Sequence, residues 1–350
     1  MSFIVYIYPK KWTFIEKDLV LLSKNHTVVS AGFEVKNKAL LPFYFIKQFF
    51  FLLRYIFKAD RIVCHFAGFS SLVPALFAKL TFKKYYVIVA GTDGCSFPDF
   101  NYGHFSRYFL AKATCISLRL ATKIFPVHPT LKYQEYQYHA PGAPVQGYGH
   151  FCPKSNKVES YYIPYGFDSN AFVTYNLKRP INSFITVGSV GDDRVIQRKG
   201  FDLIIEAASR KPELSFTLIG WNMPKTNLPS NIRVLPFSDQ LTLVKELNNH
   251  QFYLQLSIME GFPNALGEAM LCGCIPIGSS VSAIPEMIGK NGFVLQKKNT
   301  DDLIEIFDKS QALSAEKINI MEQAARQSII DRYSNEFRET ELLKAMDLEN

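Results

Sequence analysis

Glu260-Gly261-Phe262-Pro263-Asn264-Ala265-Leu266-Gly267-Glu268 is the stretch from which the rest of the chain is read. Two carboxylates stand eight positions apart with a turn between them. The preceding Phe252-Tyr253-Leu254-Gln255-Leu256-Ser257 reads as a buried strand. The following Ala265 to Cys272 reads as a helix capped by Asn264 and stopped by Gly273. Glu260 is therefore expected at the carboxyl end of a strand, and Glu268 in the first turns of a helix. Amides at a helix start have no partner inside the helix and can face an anion.

Outward from this stretch, apolar runs and helical patterns alternate, the pattern of parallel sheets with crossover helices. The chain has 350 residues, 48% hydrophobic and 20% charged, which fits a packed α/β protein of two domains. Strands are expected at Phe3–Tyr8, Thr27–Ala31, Arg61–His65, Tyr85–Ala90 and Ser160–Pro164, with helices at Thr13–Ser23 and Ser71–Leu80. Pro164-Tyr165-Gly166-Phe167-Asp168 has the composition of a hinge. The pattern restarts with strands Phe184–Val187, Ser215–Gly220, Arg233–Leu235, Ile275–Ser279 and Gly292–Leu295, and helices Gly200–Ser209, Ser282–Ile288 and Thr300–Lys309. A long charged helix from about Ala315 to Met346 closes the chain. Two carboxylates around an anion cradle suit a sugar carried on a nucleotide diphosphate, because a carboxylate accepts from two vicinal hydroxyls at once.

The run from Glu260 to Pro276 resembles the retaining glycosyltransferases of family 4, the glycosyl transferases group 1. Their mark is a pair of Glu separated by seven residues around a Gly-Phe-Pro core. The resemblance implies the GT-B fold, with two doubly wound Rossmann-like domains facing across a cleft and a C-terminal helix crossing back. The expected divisions are 1–168 for the acceptor, 169–330 for the nucleotide sugar and 331–350 for the terminal helix. It further implies that Glu260 contacts the donor sugar and Glu268 the ribose hydroxyls. Gly261, Phe262, Asn264, Ala265 and Leu266 would line the donor site between them. Val187-Gly188-Ser189-Val190-Gly191 and the following Arg198-Lys199-Gly200 match the family's phosphate region. Cations placed there would stabilise charge on the departing diphosphate. The family usually has Arg after the first glycine; here Ser189 stands there, which leaves Arg194 or Arg198 to supply the guanidinium beside Lys199. The backbone near Leu235–Phe237 would contact the base, of UDP or GDP type, while the Trp221 and Phe237 side chains are expected to pack. No Asp-x-Asp motif is present, so neither metal nor cofactor is expected.

In the first half, Ala90-Gly91-Thr92-Asp93-Gly94 resembles the family's His-Gly-(Ser/Thr)-Asp element with the His replaced. Asp93 is a candidate to orient or deprotonate the acceptor hydroxyl, and equally a turn residue. Lys10, in Pro9-Lys10-Lys11-Trp12, and His65 at a strand end are further acceptor-side candidates. The Tyr-rich segment from Phe97 to Tyr148 is where acceptor choice is expected, with no physical reading of its individual residues.

Residues 1–150 carry 18 Lys and Arg against 7 Asp and Glu, and the remainder 21 against 24. The basic half is the one suited to an anionic partner. No nucleic-acid motif accompanies the charge. Leu41 to Phe57 is apolar but contains Lys47 and Arg54, which disfavours spanning a bilayer. It fits either a packed crossover helix or one lying on an anionic membrane. The first residues read as a strand with no signal peptide, and all six cysteines as reduced thiols. A cytoplasmic protein follows, peripheral on the membrane if that helix meets lipid. The expected activity is transfer of a hexosyl group to a glycan or lipid-linked acceptor in surface polysaccharide or glycoconjugate synthesis. A nucleotide-sugar 2-epimerase of similar fold and a non-catalytic membrane-associated interaction protein are the alternatives.

Overall fold

The computed structural model describes residues 1–35, 37–139, 144–175, 177–224 and 228–348. The chain forms two compact units. The first comprises Met1–Glu135, Ala143–Tyr165 and Glu336–Asn350; the second comprises Tyr136–Gly142 and Gly166–Asn335.

In the first unit, β-branched and aromatic runs make strands β1 (Phe3–Tyr8), β2 (Thr27–Gly32), β3 (Arg61–His65), β4 (Lys84–Val89), β5 (Lys123–Pro126) and β6 (Glu159–Ser160). Among the described residues they form one parallel sheet in the order β2-β1-β3-β4-β5-β6. Helices α1 (Thr13–Ser23), α2 (Leu41–Tyr55), α3 (Phe69–Thr81) and α4 (Tyr108–Leu120) are its crossovers. Right-handed connections put α1 on one face and α2, α3 and α4 on the other.

The second unit repeats the plan. Strands β7 (Ser183–Val190), β8 (Ser215–Trp221), β9 (Ile232–Leu235), β10 (Phe252–Gln255), β11 (Ile275–Ser279) and β12 (Phe293–Leu295) pair in the order β9-β8-β7-β10-β11-β12, again parallel. Phe184 lies level with Phe216 and Phe252 on the neighbouring strands, with ring centroids 5.3 and 5.1 Å away. Phe307 covers this ladder at 4.6 Å from Phe184, which anchors the core where three strands meet.

Each sheet reverses its strand order once, between β1 and β3 and between β7 and β10. In open parallel sheets ligands sit at the carboxyl ends of the strands flanking that reversal.

Several elements differ from the sequence reading. The terminal segment is two helices, Ala315–Arg332 and Asn335–Ala345, because the chain straightens at Tyr333 and Ser334. There Phe167 donates its amide to Tyr333 O at 2.8 Å and accepts from the Asn335 amide at 3.2 Å. The second of these helices carries Arg338, buried in the first unit. Its guanidinium grips Asp18 through Nε at 2.6 Å and Nη2 at 2.7 Å, and donates to the carbonyls of Ile163 and Pro164. The strand expected at 160–164 is confined to Glu159–Ser160. Helices α4, α5 (Asp193–Lys199) and, after the expected α6 (Phe201–Arg210), α7 (Gln240–Asn248) had no sequence counterpart.

Cys115 and Cys152 form a disulfide with Cα atoms 5.6 Å apart, correcting the reading of six reduced thiols. They are 37 positions apart and are brought together where α4 packs on the short helix Tyr148–Phe151 and the turn after it, a juxtaposition no local spacing reveals. The other four cysteines are buried thiols.

Candidate functional site

Glu260 follows β10, and three donors converge on its Oε1. Lys199 Nζ forms an ion pair with it, Ser257 Oγ donates at 2.7 Å, and Gln255 Nε2 lies at 3.3 Å. Gln255 is held in turn by the Tyr253 hydroxyl, which donates to its Oε1 at 3.2 Å, while its Nε2 also reaches Ser257 Oγ at 3.0 Å. Burial pushes the Glu260 carboxyl up, but the Lys199 charge, its hydrogen bond, that of Ser257 and the charge of Arg198 outweigh burial. The net shift is downward, so Glu260 is an anion at neutral pH. Its side chain is 16% exposed and that of Lys199 is 22%, so a ligand can still reach both. Tyr253, Gln255 and Ser257 escaped the sequence reading. The only signal was their period-two spacing, which puts all three on one side of a strand and its extension.

Lys199 arrives there by backbone design. Helix α5 (Asp193–Lys199) starts at Asp192, whose carboxylate accepts from the Val195 amide at 2.9 Å. It ends at Gly200, with φ +74°, where a Cβ would stand 2.3 Å from the Leu256 carbonyl oxygen. Only glycine permits that approach. The Ile258 amide then bonds the Arg198 carbonyl at 2.8 Å and ties the helix end to the loop that carries Glu260. Arg198 is half-buried and acts on Glu260, whereas Arg194 is exposed. Gly188 is buried and Ser189 exposed at the end of β7.

Beyond Glu260, Gly261 and Phe262 are buried, the latter between Phe167 and Tyr333 at ring distances of 6.1 and 5.1 Å. Helix α8 (Asn264–Leu271) begins one residue earlier than expected. Pro263, not Asn264, is the capping residue and no side chain caps the end, because the fixed proline φ already sets the turn. The first amides, at Asn264, Ala265 and Leu266, are thus left by geometry without acceptors inside the helix. Asn264 and Ala265 are half-buried, as is Glu268 one turn on, and Leu266 is buried. Leu235 ends β9, level with Ile219 on β8, and so lies on the same strand-end edge two strands from Gly188. Trp221 packs as expected at 6.1 Å from the Phe201 ring; Phe237 instead is more than half exposed, its ring lying over Gly220. It follows the last residue of its strand by two positions and has left the sheet's cover.

The first unit holds a different set at its reversal. A cavity of about 350 Å3 opens at the ends of β1 and β3, lined by Lys10, Trp12, Phe33, Glu34, Phe66 and His104 among others. Lys10 is exposed, with Nζ 3.9 Å from Glu34. His65 is fully buried: the Tyr6 hydroxyl engages Nδ1 at 2.9 Å and the Tyr165 hydroxyl engages Nε2 at 2.8 Å. Burial lowers its pKa to about 3, with Asp18 opposing and Arg338 assisting. Asp93 is also fully buried. Its Oδ2 accepts from the Ala67 amide at 2.9 Å, and its Oδ1 from the Ala90 and Gly91 amides at 3.0 and 3.1 Å. Burial raises its pKa to about 6 against these bonds. Phe66, between them, has φ +66°, a strained conformation for an aromatic residue.

Residues 185–328 match the family described as glycosyl transferases group 1. The match spans less than half of the chain. The group 1 region covers β7 to the helix Ala315–Arg332 and so contains Lys199, Glu260 and Glu268. One subunit of the human phosphatidylinositol N-acetylglucosaminyltransferase is 28% identical over 162 residues, covering 42% of this chain and 32% of that protein. Its Arabidopsis thaliana counterpart is 24% identical over 164 residues, 43% of this chain and 36% of that protein. The chain thus matches about a third of the length of these relatives. Among solved structures, HepE of Anabaena in complex with UDP and glucose superposes with a TM-score of 0.72 at 13% identity, covering 99% of this chain and 100% of that one. Sucrose-phosphate synthase from Thermosynechococcus elongatus gives 0.77 at 12% identity, over 99% and 98%. The fold is therefore GT-B.

Proposed function

We propose that this chain transfers a hexosyl group from a UDP- or GDP-sugar to a hydroxyl of a glycan or lipid-linked acceptor, with retention of configuration. The observation that carries the reading is the convergence of Lys199, Ser257 and Gln255 on Glu260 Oε1, beside an uncapped helix start and within the group 1 region. The solved HepE complex with UDP and glucose adds support from a protein of the same fold.

In this reading the diphosphate lies against the first amides of α8 and near Lys199 and Arg198. Lys199 moves from Glu260 to the phosphate as the donor enters. Glu260, released on that side and still held by Ser257 and Gln255, orients sugar hydroxyls; Glu268 takes the ribose hydroxyls. The bond from the anomeric carbon to the diphosphate oxygen breaks, and the acceptor oxygen bonds on the same face. The acceptor proton passes to the departing diphosphate. Cations that meet charge as it develops on the leaving group lower the barrier directly. No metal or cofactor is assigned to the site. Asp93, enclosed by three amides, positions the loops after β3 and β4 and is not the base. The cavity beside Lys10 receives the acceptor, and the setting is surface polysaccharide or glycoconjugate synthesis at the cytoplasmic face of a membrane.

Incubation with UDP- and GDP-sugars and a panel of glycan and lipid-linked acceptors, followed by mass spectrometry, tests this. A glycosylated acceptor plus free nucleotide diphosphate is expected. An altered sugar released without an acceptor, or no turnover of any donor, would overturn it.

A further inference from the structure

The first unit presents an apolar face that its own fold does not cover. Along α2, Phe43, Ile46, Phe50, Leu53 and Phe57 recur at three- and four-residue steps through and just past the helix end. At about 100° per residue they form one stripe, opposite the buried Leu52 and Ile56. All five are exposed, Phe50 by 63% and Phe57 by 79%.

The neighbouring helix extends the face. Phe49 of α2 and Phe77 of α3 are in edge contact with centroids 5.1 Å apart, which fixes the two helices side by side. Leu76 and Leu80 of α3 are exposed, one helical turn apart. Phe82, just past α3, is 93% exposed and has φ +54°, so a bulky aromatic is held out toward solvent in a strained conformation.

Charge selects the occupant. Between Glu34 and Glu135 the chain carries 14 Lys and Arg but only three acids, Asp60, Asp93 and Asp99. Asp93 is buried, and Asp60, two residues past Lys58, is already engaged by the Phe3 amide at 2.8 Å. Lys47, Arg54 and Lys58 recur along one flank of the α2 stripe, and Lys79 and Lys83 bracket Leu80 and Phe82; all but the half-buried Lys83 are exposed. A second copy of this chain would bring the same cations against themselves. An anionic bilayer answers both features, because it takes aromatic side chains into the headgroup boundary and binds the cations around them. No described helix is long and apolar enough to cross a membrane, so α2 would lie in the plane of the surface.

A cavity leads from this face toward the strand ends. About 210 Å3 in volume, it is lined by Tyr44, Lys47, Gln48 and Phe51 of α2 and by Phe33 and Glu34, two residues that also line the 350 Å3 cavity at the end of β1. We infer that the α2–α3 face docks on an anionic membrane and that the acceptor is an amphiphile, its apolar part in the bilayer beside α2 and its polar head in the cavity beside Lys10. The amphiphile rests on the proposed transfer reaction; the docking does not.

Flotation of the full chain separates the two. Wild type is expected to rise with phosphatidylcholine–phosphatidylglycerol vesicles and to stay behind with phosphatidylcholine alone. Phe50→Glu with Phe57→Glu should weaken partitioning about a hundredfold, and Lys47→Gln with Arg54→Gln about twenty-five-fold, at roughly fivefold per cation. Unchanged melting would show that these exposed substitutions leave the fold intact. Wild type that never floats, or variants that float equally, would overturn the docking. A dimer in sedimentation that the aromatic substitutions disperse, without flotation, would do so too. Flotation without sugar transfer to any acceptor would remove the amphiphile and leave the docking standing.

Discussion

The two strand reversals share one topology and hold out opposite chemistry. Between β7 and β10 the side chains are an ion pair, partly exposed and braced by neutral hydrogen bonds. Between β1 and β3 His65 and Asp93 are buried and satisfied by their neighbours, and the open surface is aromatic beside the exposed Lys10 and Glu34. Charge left where water and ligand can reach it can be redirected to a substrate. Charge enclosed by amides and hydroxyls fixes backbone and shapes a cavity, because moving it would expose an unpaired buried group.

Exchanging charge for nothing should therefore have separable effects on the two sides. The largest is expected in the second unit: Glu260→Ala or Lys199→Ala should lower transfer at least a hundredfold while the melting temperature changes little. Comparable turnover in either variant would erase the contrast. In the first unit, Arg338→Leu should cost about 3–5 kcal/mol of stability by leaving Asp18 buried and unpaired. Urea unfolding measures this, and a loss below 1 kcal/mol would mean the pair is more hydrated than its burial indicates.

Acid should strike the first unit next. His65 titrates near 3 in the folded chain against 6.5 when free, so the unfolded chain binds the extra proton between those values. Its contribution is fully present above 6.5 and falls as pH drops through the window. His104, lowered to about 4 by burial, acts in the same direction. Asp93, raised to about 6 from 3.8, acts oppositely: its contribution is full below 3.8 and is lost as pH rises through 6. From pH 7 to 5 His65 alone loses about 2 kcal/mol and Asp93 returns about 1 kcal/mol. Urea midpoints that rise on acidification would contradict this. The smallest effect is expected from Ser257→Ala, about tenfold in turnover with nucleotide affinity kept, since it removes one of three groups that orient Glu260. An equal loss of affinity would move Ser257 from positioning to binding.

Most strand positions and the Glu260 region were legible because they depend on local pattern. Apolar runs mark parallel strands, and Gly200 and Gly273 mark places where a side chain would collide or the backbone turns left-handed. What escaped depends on contacts distant in sequence. Cys115 and Cys152 meet only because α4 packs on the turn after Tyr148–Phe151, and Asp18 finds Arg338 across 320 positions. The break at Tyr333 was hidden for the same reason: the helical pattern continues through it, and only pairing with Phe167 pulls the chain straight. Gln255 and Ser257 read as strand filler until the Glu260 carboxylate is seen to lie against them.

Calorimetric titration of UDP and GDP into wild type and Lys199→Ala tests the central claim most directly. One of the two nucleotides should bind wild type and lose about tenfold or more in affinity in the variant, the loss expected for one charge-assisted contact. Binding of neither nucleotide, or equal affinity for both proteins, would contradict the assignment of the diphosphate to Lys199 and the start of α8.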